Sequence, residues 1–270
     1  MKPAHKIVCL TLLLGASLTL QAQVISWSFD QYGFDNAAGG SGVPVPNTQA
    51  GVVLASNWND SWSENFSAYP GGNPVTVNNL FDNTGTATGA SVTYNSYNGY
   101  RIAGSHAGAD ANGTYNKEML NGFLNAGPAT WNPPVTNDTT TFNSIPYAQY
   151  NIYVYISDDT AGRVALVSDG AITYDLSTEG PAAISGANAL LVQSTDTSGA
   201  NPTGDYVEFT GLTGASQTIT VIPGDPNPTD AAWVGLAAVQ IVAVPEPGVV
   251  ALSLCGLGLL AIKSRAWRRH

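Results

Sequence analysis

The chain has 270 residues, with 29 Gly, 16 Pro and only 10% charged residues, a composition that suits short strands joined by turns and argues against long surface helices rich in Lys, Glu and Arg. Hydrophobic residues make up 44%, enough to build a core and too many for a globally disordered chain. Six of the nine basic residues lie at the two ends, so residues 23–243 hold three basic residues (Arg101, Lys117 and Arg163) against eighteen acidic ones, a formal charge of −15 that repels phosphate backbones and excludes nucleic acid as a partner.

Residues 1–22 read as a secretory signal. Lys2 and Lys6 form a positive head, Ile7 to Leu20 is a mostly apolar run, and Leu20-Gln21-Ala22 puts a small residue before the cut. The run is shorter than the roughly 20 residues of a standard spanning helix. The mature chain is expected to begin near Gln23, with Sec-type export machinery and signal peptidase as its first partners. No Cys follows the apolar run, unlike a lipoprotein signal. Cys9 and Cys255 both lie in the ends, so the body between them has no disulfide and no thiolate nucleophile.

Residues 23–243 read as one all-β body. Val24 to Phe29 and Ser91 to Tyr94 are the first strands, and a short helix is expected from Asn116 to Leu124, stopped by Asn125 to Pro128. Tyr150 to Ile156 is the strongest strand, with Ile152, Val154 and Ile156 on one face and Tyr153 and Tyr155 on the other. Arg163–Ser168 and Ala171–Leu176 flank Asp169-Gly170, the dipeptide of a two-residue hairpin with positive φ at both positions. Val207 and Phe209 alternate with Tyr206 and Glu208, Ile219 and Val221 alternate with Thr218 and Thr220, and Val234 to Val242 closes the body. Strands recurring about every ten residues without intervening helices point to a sandwich or jelly roll. No βαβ rhythm is present to carry a dinucleotide or phosphate loop.

The residues that carry chemistry are few. His106 is the one histidine of the body, in a Gly-rich loop, and no Gly-x-Ser-x-Gly elbow accompanies it. With no Cys and one His, a zinc site of the usual type is not expected. Asp158 and Asp159 end the Tyr150 strand as solvated turn residues. With Asp225 and Asp230, in the oxygen-rich loop Gly224–Asp230, they are candidate ligands for one structural Ca²⁺, although neither loop has EF-hand spacing. No other cofactor is expected. Trp58 and Trp62 lie in a polar stretch, Tyr94, Tyr97 and Tyr100 follow at three-residue spacing, and Trp131 precedes two prolines. Aromatic planes among Asn and Asp are what a sugar ring stacks on, so Trp58, Trp62, Tyr97 and Trp131 are the candidate ligand aromatics, whereas Trp27 and Trp233 fit strand patterns and the core.

The end of the chain has a three-part order. Val244-Pro245-Glu246-Pro247 is followed by Gly248 to Ile262, fifteen residues without a charge, and then by the basic tip Lys263, Arg265, Arg268 and Arg269 within residues 263–270. The prolines hold Glu246 in extended chain, the apolar run (248–262) suits a short transmembrane segment, and the tip stays cytoplasmic by the positive-inside rule. Residues 244–270 resemble the PEP-CTERM sorting tail of Gram-negative bacteria. That resemblance implies a precursor held transiently in the inner membrane and cut near Pro245–Pro247 by an exosortase, then passed to the cell surface or an exopolysaccharide matrix.

The body adds a second resemblance. Trp58-Asn59, Asn79-Leu80-Phe81-Asp82-Asn83, Thr88 to Thr93, the Tyr150–Asp158 strand, Tyr206–Gly211 and Ala237–Val242 together look like a pattern of uncharacterised exported PEP-CTERM proteins. It implies a galactose-binding-domain-like jelly roll, a fold shared by many carbohydrate-binding modules. The expected role is non-catalytic, with polysaccharide as a candidate partner. A glycan-active enzyme using Asp and Glu, and a purely structural or adhesive surface protein, are the alternatives.

Overall fold

A computed structural model describes residues 22–29, 49–60, 74–96, 98–103, 107–127, 136–224 and 233–245. The strands are β1 (Val24–Ser28), β2 (Asn59–Asp60), β3 (Val75–Val77), β4 (Ser91–Asn95), β5 (Asn98–Arg101), β6 (Gly122–Ala126), β7 (Asp138–Asn143), β8 (Gln149–Ser157), β9 (Val164–Ser168), β10 (Thr173–Ser177), β11 (Tyr206–Thr213), β12 (Ser216–Pro223) and β13 (Val234–Ala243). Two short helices join them, α1 (Asn116–Asn121) and α2 (Ala182–Ser185). The fold is all-β, in two sheets. One runs β11-β8-β13-β1-β2, with β6 on β13 and β5 on β6; the other runs β10-β9-β12-β7-β4-β3.

The period-two strands behave as their patterns require. Ile152, Val154 and Ile156, Val207 and Phe209, and Ile219 and Val221 all enter one core between the sheets. Trp27 centres it, with ring centroids 5.5 Å from Tyr94 and 6.2 Å from Phe142. β13 is the hub of its sheet, pairing β8 along one edge and β6 then β1 along the other. It is buried from Val234 to Val242, as a strand covered on both faces must be.

The second covering comes from α1, α2 and the segment around Trp58. Tyr155, Tyr206, Ala237 and Ala238 pack there with Met119, Leu120 and Phe123 as a separate apolar cluster on the outer face of the β13 sheet. A buried polar chain fastens it. The Tyr155 hydroxyl accepts from Val52 N (2.8 Å) and donates to Gln240 Oε1 (2.6 Å), and Gln240 Nε2 donates to Ser26 Oγ (3.1 Å) and Val53 O (2.8 Å). Gly51 passes directly over Gln240 at φ +92°, where a β-carbon would collide with the amide.

Three local expectations are corrected. The helix stops at Asn121, because Gly122 turns to extended backbone and residues 122–126 pair with β13 instead. The β9–β10 hairpin forms, but Ser168 faces Thr173, so the connection is the four residues 169–172. Gly170 has positive φ (91°) and Asp169 does not; the Asp169 carboxylate instead accepts from the amides of Ala171 (2.9 Å) and Ile172 (2.8 Å). The third concerns helices: among the described residues two short ones stand where one was expected. Among the described residues no helix is long and apolar enough to cross a membrane; residues 1–21 of the signal segment and the tail from Glu246 onward lie outside those residues.

Candidate functional site

Among the described residues, the outer face of the β13 sheet is left open at one corner, where β5 and β6 form its edge. Asn98 and Asn125 stand opposite each other in this ladder, and Asn125 Nδ2 donates to Asn98 Oδ1 at 2.8 Å. Asn125 is only 6% exposed, and its Oδ1 has no partner among the described residues, so a hydroxyl donor brought to it would relieve a desolvated acceptor. Two residues along β5, on the same face, Tyr100 is 42% exposed. Its ring meets Phe123 edge-on, with centroids 6.1 Å apart. Phe123 lies over Gly235 of β13, where a β-carbon would clash with it.

Trp233 and Asp159 complete the corner. Trp233 immediately precedes β13 and is half-buried, with the six-membered ring set against Gly127, where a side chain would displace it. Asp159 is exposed, two residues past the end of β8. Together Asn98, Tyr100, Asn125, Asp159 and Trp233 line a cleft of about 170 Å³. Two aromatic rings, two amides and one carboxylate converge there: apolar planes for C–H faces, with donors and acceptors at their margin.

Behind Asp159 lies Asp158. It is 1% exposed and not the solvated turn residue expected; the strand carries one residue further inward before the chain turns. Thr160 N donates to its Oδ1 at 2.9 Å, while Oδ2 has no partner among the described residues. Burial, helped by the neighbouring Asp159 carboxylate, pushes its carboxyl up to about 8. As calcium ligands, Asp158 and Asp159 are neighbours. Asp225 and Asp230 lie outside the described residues, and among the described residues no three His, Cys, Asp or Glu side chains group as a metal site requires.

The aromatic candidates divide. Trp58 is fully buried, with Nε1 donating to Ala55 O at 2.9 Å, so it is a core residue and presents no plane to a ligand. Its polar neighbours misled, because Asn59 and Asp60 are themselves buried and Asn59 ties Ser26 O and Phe81 O, each at 2.8 Å. Trp62, Tyr97 and Trp131 lie outside the described residues, as do His106, Glu246, Pro247 and the basic tip Lys263, Arg265, Arg268 and Arg269. Tyr94 is core, and Trp233, expected in the core, lines the cleft. Asn98, Asn125 and Trp233 went unread as site residues. The Asn98-Gly-Tyr100 alternation was the available signal.

A larger cleft of about 500 Å³ lies at the opposite end of β13, between Tyr147, Gln149, Gln23 and Val244. There Ala243 N donates to Gln23 O and Val244 N to Gln149 O, both at 2.9 Å. The start and the end of the described body therefore lie side by side, with Pro245 exposed. Among the described residues its lining is Gln23, Thr84, Tyr147 and Gln149 together with Ala, Val and Pro. Compared with known proteins, the chain matches no family model, no curated protein and no solved structure.

Proposed function

We propose that this chain is an exported, non-catalytic protein of a Gram-negative cell surface or exopolysaccharide matrix, cut by an exosortase at its Pro-Glu-Pro tail, and that its sandwich binds polysaccharide. The observation that carries the binding reading is the cleft of Tyr100, Trp233, Asn98, Asn125 and Asp159. A glycosidase needs two carboxyl groups facing each other across about 5–10 Å, and among the described residues one carboxylate lines this cleft. We further read the sandwich as a jelly roll. From β7 to β13 the chain crosses between the sheets five times, staying in one sheet only for the β9–β10 hairpin, as that architecture requires.

The maturation reading rests on the ordered tail, and on Val244 and Pro245 standing at the surface of the body beside Gln23. Intact-mass measurement on surface-released protein tests it. The expected chain starts near Gln23 and ends near Pro247. Replacing Pro245-Glu246-Pro247 by alanines is expected to leave exported, uncut protein in the inner membrane. A released chain still ending at His270 would reduce the tail to an anchor. For binding, a glycan array on residues 23–243 is expected to show hits that Tyr100→Ala removes, and a blank array would leave the structural or adhesive alternative.

A further inference from the structure

We propose that the cleft takes a single sugar ring, at the end or on a side branch of a glycan, and that this ring is neutral or carries an ammonium group in preference to a carboxylate. The inference rests on the glycan-binding reading above and narrows it.

Size comes first. At about 170 Å³ the cleft falls below the ~300–1,000 Å³ of sites for drug-sized ligands and has room for one ring. Its walls are braced rather than adaptable. Tyr100 rests on Phe123, Phe123 on Gly235, and Trp233 on Gly127; the Asn98–Asn125 hydrogen bond holds both amides in place. A site of this kind loses little entropy on binding, and among the described residues it does not continue into a groove for several consecutive rings. The orphaned Asn125 Oδ1 sets the polarity of one contact: it accepts, so it needs an O–H or N–H from the ring.

Charge comes second. Among the described residues Asp159 is the charged residue of the lining, and it stands on a body of formal charge −15. Arg101 follows Tyr100 on β5 and by strand alternation points to the other face. Arg163 acts on the buried Asp158 behind the cleft, with a buried Nε. A uronate placed here meets Asp159 without a compensating cation, while an ammonium group gains from it.

Calorimetric titration of the protein, purified as its cells release it, decides between outcomes. The probes are glucose, galactose and mannose, their 2-amino and uronate counterparts, and linear neutral oligosaccharides of two to six rings. Expected are affinities that stay within about threefold from the best monosaccharide to its hexasaccharide, and uronates at least about tenfold weaker than the matching neutral sugars. Asp159→Asn should narrow the gap between the uronates and the matching neutral sugars, and Tyr100→Ala should weaken all binding about tenfold or more with an unchanged melting curve. Affinity climbing with each added ring would overturn the single-ring claim, and tight uronate binding the charge claim, in both cases with glycan binding intact. No binding by any of the three series would bring down the glycan-binding reading itself.

Discussion

Asp158 is the residue whose environment departs furthest from its chemistry. A carboxyl group 1% exposed with one oxygen unpartnered stays protonated well above its ordinary 3.8, up to about 8. Asp205 is raised in the same way, to about 7, by burial that its Val192 amide bond only partly offsets. Asp138 is buried at the start of β7 and is also raised. Between about pH 4 and pH 8 the folded chain therefore holds protons that the unfolded chain has released. Stability is fully present below the unfolded value and falls as pH rises through the folded ones, opposite to the usual salt-bridged carboxylate. The thermal midpoint is expected to drop steadily from pH 5 to pH 8, and Asp158→Asn to flatten that slope and raise the midpoint at pH 8. A midpoint rising with pH would contradict this account.

At the scale of elements, the β9–β10 hairpin isolates backbone conformation from packing. A β-carbon on Gly170 would meet nothing within 4 Å, so Gly170→Val carries only the penalty of positive φ. It is expected to cost about 1 kcal/mol or more, read as a lower urea midpoint at unchanged m. The long alternating strands β8, β11 and β12 were legible in the sequence because burial on one face repeats every two residues, and β13 as a nearly unbroken run of small and apolar residues, as a strand covered on both faces is. β6 was not. Met119, Leu120, Phe123 and Leu124 have helix-like spacing, and only the free edge of β13 at Val234–Leu236 draws the last part of that run into a sheet. The cleft was illegible for the same reason. Its residues come from two strands and two strand ends, and the register that sets Asn98 opposite Asn125 leaves no local periodicity. Trp58 shows the converse error, since polar neighbours signal exposure only when they are not themselves buried and hydrogen-bonded.

For the whole molecule, the two apolar clusters share β8 and β13, the inner one holding Trp27 and the outer one Trp58. One cannot be lost while the other stands, so near-UV and far-UV circular dichroism melts are expected to coincide; separated transitions would show that the outer layer unfolds independently. The course of β13 has a mechanical consequence. Its ten residues cover about 33 Å at ~3.3 Å each, from Trp233 at the cleft to Ala243 beside Gln23. A tether at one end and a captured glycan at the other would pull this strand along its own axis. Its antiparallel bonds to β8, β6 and β1 lie across that axis, so tension loads them together in shear and cannot peel them one at a time. The strand that runs from the cleft to the Gln23 end would thereby also be the one placed to bear drag between them, were the proposed binding and attachment to hold.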